Sequence, residues 1–337
     1  MILKNKLVII AEAGVNHNGS IKNAIKLIDT AKEARADFIK FQSFKSGNLV
    51  IKKLKKCNYQ LSTTEKNETQ YEMLKRYELT ETQHKTLIKY CKKRKINFLT
   101  SPFDLESIDL VKNLKLKCIK IPSGEITNYP YLKKLSFLDK IFFLSTGMSN
   151  LNEIEAAIKV LISEGNKKSN IYVLHCNTEY PTPLDDVNLN VIKTIKKKIT
   201  NQIGYSDHTE GSEVAIGAVA LGCKVIEKHI TLNKKMKGPD HKASMEPEEF
   251  KKFVIKLRNI KKALGSHQKQ PSKSEKKNIK FVRKSIYASK KILKNEVFNE
   301  NNIIVKRPYN GVNPMKIKKL YGKKAIKNYA IDELIKV

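Results

Sequence analysis

Eight short apolar runs recur between residue 7 and residue 231, and most are separated by stretches with helical periodicity. The runs are β-prone and apolar at nearly every position, which is typical of strands buried on both faces of a parallel sheet. They predict six strands at 7–11, 37–42, 96–101, 118–122, 141–145 and 171–176. Two more strands are expected in the first residues of the stretches 203–209 and 225–231. Helices are expected at 21–31, 80–95, 105–114, 151–164, 187–198, 211–221 and 246–264, with a further helix around 64–77.

Eight strand–helix units of this kind fit a closed (β/α)8 TIM barrel, which typically needs about 250 residues. We therefore predict a barrel domain over residues 1–264. A doubly wound open sheet is the alternative, and it is disfavoured because the first strand–helix turn lacks a GxGxxG motif. The long polar stretch from 43 to 79 is typical of a lid or binding element.

The amino-acid composition changes after residue 264. Residues 265–282 are polar, which is typical of a linker. Residues 283–337 contain short β-like runs with Gly, Asn and Pro turns, and they predict a small β-rich domain. A domain of that size is marginally stable alone, so we expect it to dock on another surface.

Composition narrows the classes of function. The formal net charge is +33, but only six of the 66 basic residues are arginine and the lysines are spread along the whole chain. Since arginine is the better bidentate reader of phosphate, we predict no nucleic-acid partner. No apolar run reaches membrane-spanning length and no signal-peptide layout precedes the first strand. Five scattered cysteines without a CxxC pair favour a reducing cytoplasm.

Polar side chains stand at the end of every predicted strand. In a barrel these ends face one active-site mouth. The polar strand-end residues are Glu12, Lys40, Gln42, Thr100, Ser101, Lys120, Ser123, Glu125, Ser145, Thr146, Asn177, Thr178, Tyr180, Ser206, Asp207, His208, Glu227 and His229. Ordinary strand ends carry one or two turn residues, so the ring predicts a binding site.

Lys40 and Lys120 each stand between two apolar residues inside a predicted strand. Because a buried ammonium needs a partner, we expect a bound phosphate or carboxylate there. Ser123 and Ser145 lie near glycines that let backbone N–H groups approach an anion. Each feature alone also suits an ordinary turn or surface lysine, but together they predict a cradle for a phosphorylated acid.

Two histidines, His208 and His229, follow neighbouring strands, and either alone is an ordinary strand-end residue. With Glu12 they form a set that suits Mn²⁺, Mg²⁺ or Zn²⁺ with open positions for water or a carbonyl. Asp240, in a GPD loop after the last strand, is as compatible with a turn as with a ligand.

Six ordered motifs resemble the bacterial sialic acid synthases. They are IAEAGVNHNG at 10–19, KIPSGE at 120–125, LSTGM at 144–148, HCNTEYPTP at 175–183, GYSDHT at 204–209 and GPDH at 238–241. The segment VKRP at 305–308 resembles the C-terminal antifreeze-like (SAF) domain of that family. The resemblance implies a TIM barrel followed by a SAF domain, in a domain-swapped homodimer where each SAF domain covers the partner's active site.

The resemblance also assigns roles. It implies a metal, Mn²⁺ or Mg²⁺, on His208 and His229, with Glu12 acting through water. The residues it places around phosphoenolpyruvate are Lys40, Ser101, Lys120, Ser123, Ser145, Thr178 and Ser206, and those at the sugar are Gln42, Glu125, Tyr180, Asp240 and, from the other subunit, Arg307. Thr178 stands where some members of the family carry asparagine, and Tyr309 stands where the family usually has glycine.

The implied reaction joins phosphoenolpyruvate to an N-acetylated hexosamine and water, giving a nonulosonic acid and phosphate by C–O cleavage. The metal would polarise the sugar aldehyde, Lys40 and Lys120 would stabilise charge, and Glu12 or Glu125 would be the general base. N-acetylmannosamine is the favoured acceptor, with 2,4-diacetamido-2,4,6-trideoxymannose as the alternative. Rival hypotheses are a barrel that condenses phosphoenolpyruvate with a phosphorylated sugar and a non-enzymatic binder of anionic polymers.

Overall fold

The computed structural model describes residues 6–56, 58–61, 63–65 and 67–336. It divides into two compact units, residues 1–265 and 266–337. The strands of the first unit are β1 (Val8–Gly14), β2 (Phe38–Ser43), β3 (Asn97–Pro102), β4 (Cys118–Ile121), β5 (Ile141–Ser145), β6 (Ile171–His175), β7 (Ile203–Asp207) and β8 (Val225–His229). All eight strands predicted from the apolar runs are present.

The eight strands form one parallel sheet in the order β3-β2-β1-β8-β7-β6-β5-β4, and the two end strands, β3 and β4, are in contact. Phe38 on β2 and Phe143 on β5 are far apart in that order, yet their ring centroids lie 6.0 Å apart. Such a contact requires the sheet to curve round on itself. The predicted (β/α)8 barrel is therefore confirmed, and the open doubly wound alternative is excluded.

Helices alternate with most of the strands, and three short ones, α2 to α4, lie in the connection between β2 and α5. Their bounds are α1 (Ile21–Glu33), α2 (Ser46–Leu49), α3 (Asn58–Leu61), α4 (Gln70–Lys75), α5 (Glu81–Arg94), α6 (Leu105–Asn113), α7 (Tyr129–Ser136), α8 (Leu151–Ile162), α9 (Asn190–Lys198), α10 (Glu213–Ala220) and α11 (Pro247–Ala263). None of the helices in the described part of the chain is long and apolar enough to cross a membrane.

Four helices of the first unit differ from expectation, since α2, α3 and α7 are additional and α4 is shorter than predicted. The helix expected around 64–77 is only α4, because Thr69 and Glu72 form a capping box that fixes its start. The short helix α7 was not predicted. It begins after the cap Asn128, with Pro130 in its first turn, where the missing N–H of proline costs nothing.

Gly204 on β7 lets three strands pack closely. A Cβ atom there would lie 2.3 Å from Leu174 Cδ2 and 2.7 Å from the carbonyl oxygen of Val225.

Gly204→Ala is therefore expected to destabilise the barrel by about 1–3 kcal/mol, since backbone atoms of β8 must shift to admit the methyl group. Thermal unfolding measures the effect as a lower Tm. Gly47→Ala is the matched control, because a Cβ at Gly47 meets nothing within 4 Å. Equal Tm values for the two variants would contradict the packing argument.

The second unit contains α12 (Lys273–Val282) and an antiparallel pair, β9 (Ser285–Ala288) with β10 (Ile303–Lys306). Its own core includes Ile286, Ile292, Phe298 and Tyr329. Helix α12 forms where a linker was expected, and none of its residues is buried. The second unit thus has its own small core, and its assignment as a SAF domain stays a prediction.

Candidate active site

A cavity of about 480 Å³ opens at the carboxyl ends of the barrel strands. All the site residues predicted within the barrel line it, namely Glu12, Lys40, Gln42, Ser101, Lys120, Ser123, Glu125, Ser145, Thr178, Tyr180, Ser206, His208, His229 and Asp240. The structure thus brings together in one cavity residues that are more than 200 positions apart in the chain.

Strand register explains why the charged groups meet. Glu12 on β1 pairs with Lys40 on β2 and with His229 on β8. Ser206 on β7 pairs with Glu227 on β8. Because paired residues in parallel strands project to the same face, these side chains share the barrel interior.

Glu227 is the centre of a buried polar cluster that we call the lysine floor: Lys40, Lys120, Ser206 and Glu227. Its Oε1 accepts hydrogen bonds from Lys40 Nζ at 2.9 Å and Lys120 Nζ at 3.0 Å. Ser206 Oγ donates to the same oxygen at 3.0 Å. The sequence predicts a bound anion as the partner of the two lysines. In the structure a carboxylate of the chain itself already pairs with both, and a bound anion there stays a prediction.

Burial and pairing shift the pKa values of these groups. Burial alone would raise the pKa of Glu227, but Lys120 and Lys40 outweigh it and hold that carboxyl well below its ordinary value. Burial lowers the pKa of Lys120. For Lys40 burial also acts to lower the pKa, but the carboxylates of Glu12 and Glu227 raise it overall. Lys40 and Glu227 are therefore both ionised at neutral pH.

Glu12 is the second carboxyl beside the lysine floor. Its Oε2 lies 3.5 Å from Lys40 Nζ, and burial raises the pKa of Glu12 to about 8. Within the described residues this Oε2 has no hydrogen-bond partner. A buried carboxyl oxygen without a partner is ready to receive a proton, a water or a metal-bound group.

The two histidines lie face to edge, with ring centroids 5.4 Å apart. His208 Nδ1 is 2.5 Å from the carbonyl oxygen of Asn177, which can only accept, so Nδ1 carries the hydrogen and Nε2 keeps its lone pair. Burial lowers the pKa of His208 to about 4 and that of His229 well below its ordinary value. Both rings are therefore neutral at pH 7, the state that binds metal.

The donor set suits a metal in part. Across the described part of the chain, no three His, Cys, Asp or Glu side chains are grouped closely enough to hold a metal by themselves. The predicted trio of Glu12, His208 and His229 is therefore not assembled as a three-ligand site. The remaining candidate ligands are the neutral imidazoles of His208 and His229. The His208 ring is oriented by a backbone carbonyl, as is usual for histidines that bind a metal. The two histidines therefore fit a metal whose other coordination positions are open.

Three polar side-chain ends crowd around Gly14, which has φ +50°. A Cβ there would lie 3.2 Å from Glu12 Oε1, 3.4 Å from Gln42 Nε2 and 3.5 Å from Asp240 Oδ2. Burial raises the pKa of Asp240 to about 6. Asp240, ambiguous from spacing, thus joins Gln42 and Glu12 at one side of the cavity.

The opposite side carries small hydroxyls. Gly147 N–H donates to Ser123 Oγ at 3.0 Å, and Ser145 Oγ is buried without a hydrogen-bond partner among the described residues. Glu125 Oε2 accepts from Asn128 Nδ2 at 2.6 Å, and burial raises the pKa of Glu125. Ser145 is thus the hydroxyl available to a ligand here.

Tyr180 packs on the histidines, with its ring centroid 4.1 Å from that of His208 and 5.6 Å from that of His229. Arg307 belongs to the second unit, where its exposed side chain donates through Nε to the carbonyl of Val282 at 2.9 Å. Tyr309 N–H donates to the carbonyl of Lys280, and its φ is not positive. Tyr309 therefore replaces glycine without left-handed strain.

Known proteins share this architecture. The NeuB family profile matches residues 27–269. An N,N'-diacetyllegionaminic acid synthase of Campylobacter jejuni is 54% identical over 331 residues, which are 98% of this chain and 99% of that protein. An N,N'-diacetyllegionaminic acid synthase of Legionella pneumophila is 42% identical, covering 95% of this chain and 90% of that protein.

Among solved structures, an N-acetylneuraminic acid (sialic acid) synthetase of Leptospira borgpetersenii in complex with citrate is similar, with a TM-score of 0.71 and 33% identity. The similarity covers 82% of this chain and 90% of that one. Fold and site define an enzyme of the sialic acid synthase class. This chain belongs to the NeuB family, and the prediction of a phosphoenolpyruvate-dependent condensing transferase is confirmed at that level.

Proposed function

We propose that this enzyme is an N,N'-diacetyllegionaminate synthase, which condenses phosphoenolpyruvate with 2,4-diacetamido-2,4,6-trideoxymannose and water. The observation that carries the acceptor is the 54% identity to the Campylobacter synthase along nearly the whole of both chains. The Legionella relative with the same name supports it. We therefore prefer this alternative to N-acetylmannosamine, the acceptor first favoured from the sequence.

The lysine floor is the proposed site of phosphoenolpyruvate. Lys40 and Lys120 supply positive charge, and the buried Ser145 Oγ supplies an unpartnered hydroxyl. Glu227 holds both lysines in place at 2.9 and 3.0 Å. Charged donors fixed before the substrate arrives stabilise a transition state without reorganisation, which is the role we assign to this cluster.

The proposed reaction begins when C3 of phosphoenolpyruvate bonds to the aldehyde carbon of the open-chain sugar, whose oxygen takes the proton that Glu12, with its pKa raised to about 8, holds at neutral pH. Positive charge then develops at C2. Water adds to C2 and gives a proton to Glu12, whose Oε2 has no hydrogen-bond partner among the described residues, whereas Glu125 already accepts from Asn128. The C2–O bond breaks, phosphate leaves with the electron pair, and loss of the hydroxyl proton gives the keto acid.

A divalent metal, Mn²⁺ or Mg²⁺, held by His208 and His229 supplies Lewis-acid polarisation of the aldehyde oxygen when bound. Gln42 and Asp240 orient the sugar from the side of the cavity at Gly14, and Tyr180 orients it from beside the two histidines. We further propose a cytoplasmic homodimer in which a SAF domain formed by the second unit brings Arg307 to the partner's sugar site.

N-acetylneuraminate synthase is the second candidate, and the 33% identity to the Leptospira enzyme favours it. The acceptor separates the two candidates, but the chemistry at phosphoenolpyruvate is the same for both.

Phosphoenolpyruvate labelled with ¹⁸O in the bridging oxygen tests that chemistry. We expect sugar-dependent phosphate release in the presence of Mn²⁺, with all the label in phosphate because the C–O bond breaks. The control omits the sugar and should release no phosphate. Label retained in the keto acid would contradict the proposed reaction.

A further inference from the structure

Part of the active-site cavity is lined by apolar side chains, together with Gln60 and Gln70 from the same segment, and no role has been assigned to these apolar side chains above. Leu49, Val50, Met73, Leu74 and Phe103 line it, and we call them the apolar wall. Four of the five come from the long segment between β2 and α5, on α2, α4 and the residue after α2. The wall therefore lies beyond the strand ends, on the outer side of the lysine floor.

The apolar wall is a built surface. Met73 is 0% exposed and packs with Val15, Phe44 and Tyr77 in a small hydrophobic core. Leu49, Leu74 and Phe103 are partly buried against the same core. Helix α4, which carries two wall residues, has its start fixed by the Thr69–Glu72 capping box. The small core of Val15, Phe44, Met73 and Tyr77 thus holds the wall residues in place at the cavity.

The two ends of the acceptor sugar meet different environments. The aldehyde carbon must lie at the lysine floor and the two histidines, where phosphoenolpyruvate reacts. The sixth carbon is the far end of the chain, so it reaches outward toward the wall. A methyl group against Leu49, Leu74 or Phe103 gains from leaving water, whereas a hydroxyl against the same side chains loses its hydrogen bonds to water.

We propose that the apolar wall binds the C6 methyl of the acceptor and so selects 6-deoxy sugars over those with a C6 hydroxyl. This inference rests on the proposed function and specifies the substrate class of the same site. Apolar pockets discriminate by roughly 10- to 100-fold between ligands that differ in one such group. The expected preference in kcat/KM is of that size.

Two acceptors that differ only at C6 test the proposal: N-acetylmannosamine and its 6-deoxy analogue. Wild-type enzyme should use the 6-deoxy sugar with a kcat/KM higher by roughly tenfold or more. Leu74→Asn, a near-isosteric polar change in the wall, should reduce that preference by roughly tenfold. Leu49→Asn serves as a second wall variant. Leu54→Asn is the matched control, because Leu54 lies in the same segment, is 39% exposed and does not line the cavity.

A wild-type enzyme without a 6-deoxy preference overturns the proposal, and this comparison needs no variant to fold. A preference that both wall variants retain in full also overturns it. In either case phosphate release still occurs, so the proposed condensation stands. Absence of phosphate release with every acceptor, the 2,4-diacetamido sugar included, would instead refute the proposed function on which this inference rests.

Discussion

His208→Ala is expected to lower kcat by roughly 10²–10³-fold while the barrel stays folded. The reason is that Lewis-acid activation contributes several kcal/mol, and each 1.4 kcal/mol is about a factor of ten in rate. The variant should also bind Mn²⁺ more weakly in equilibrium dialysis, a readout independent of turnover. Its Tm should change little, because among the described residues the His208 side chain hydrogen-bonds to the Asn177 carbonyl and Ser206 Oγ at the cavity, and both can bond to water instead.

His267→Ala is the matched control for this change, since His267 is exposed and belongs to the second unit. It should retain wild-type kcat and Mn²⁺ affinity. A His208→Ala enzyme that keeps full activity after treatment with a chelator would contradict the metal-binding role of the histidine pair.

Glu227→Gln is expected to destabilise the barrel by about 3–5 kcal/mol, the usual cost of breaking a buried ion pair on one side. The substitution keeps the shape of the side chain but leaves Lys40 and Lys120 without the carboxylate they share. Thermal unfolding should therefore show a clearly lower Tm. Glu210→Gln is the matched control, because Glu210 is exposed on the loop after β7.

Phosphoenolpyruvate should partly rescue the Glu227→Gln variant. Binding to the folded state alone raises stability, and an anion on the lysine floor replaces the lost negative charge. The rise in Tm on adding phosphoenolpyruvate should therefore exceed that of the wild type. An unchanged Tm of the variant without ligand would contradict the stabilising role of the ion pairs at Glu227. An equal rise in Tm of both proteins on adding phosphoenolpyruvate would contradict the lysine floor as the substrate site.

The sequence predicted much of the site because the barrel gathers its strand ends. Once eight apolar strands were recognised, residues such as Glu12, Lys120 and His229 had to share one mouth. The partner of the lysines could not be predicted in this way. Glu227 meets Lys40 and Lys120 across the barrel interior, and only Ser206 among its partners is on a neighbouring strand. That contact depends on strand tilt and register, which apolar periodicity does not specify.

The acceptor side was harder to predict for a different reason. Four residues of the apolar wall come from the segment between β2 and α5, whose helices α2 and α4 are too short to give a clear apolar period. Only the folded segment reveals that they face the cavity. Helix α7 was missed because eight residues give too few turns for a clear helical period.

The acceptor is the central claim, and a competition measures it most directly. Equal concentrations of N-acetylmannosamine and 2,4-diacetamido-2,4,6-trideoxymannose are offered with limiting phosphoenolpyruvate and Mn²⁺, and the two keto-acid products are quantified by mass spectrometry. Their ratio equals the ratio of kcat/KM values. We predict that N,N'-diacetyllegionaminate exceeds N-acetylneuraminate by roughly tenfold or more. A product mixture dominated by N-acetylneuraminate would contradict the account.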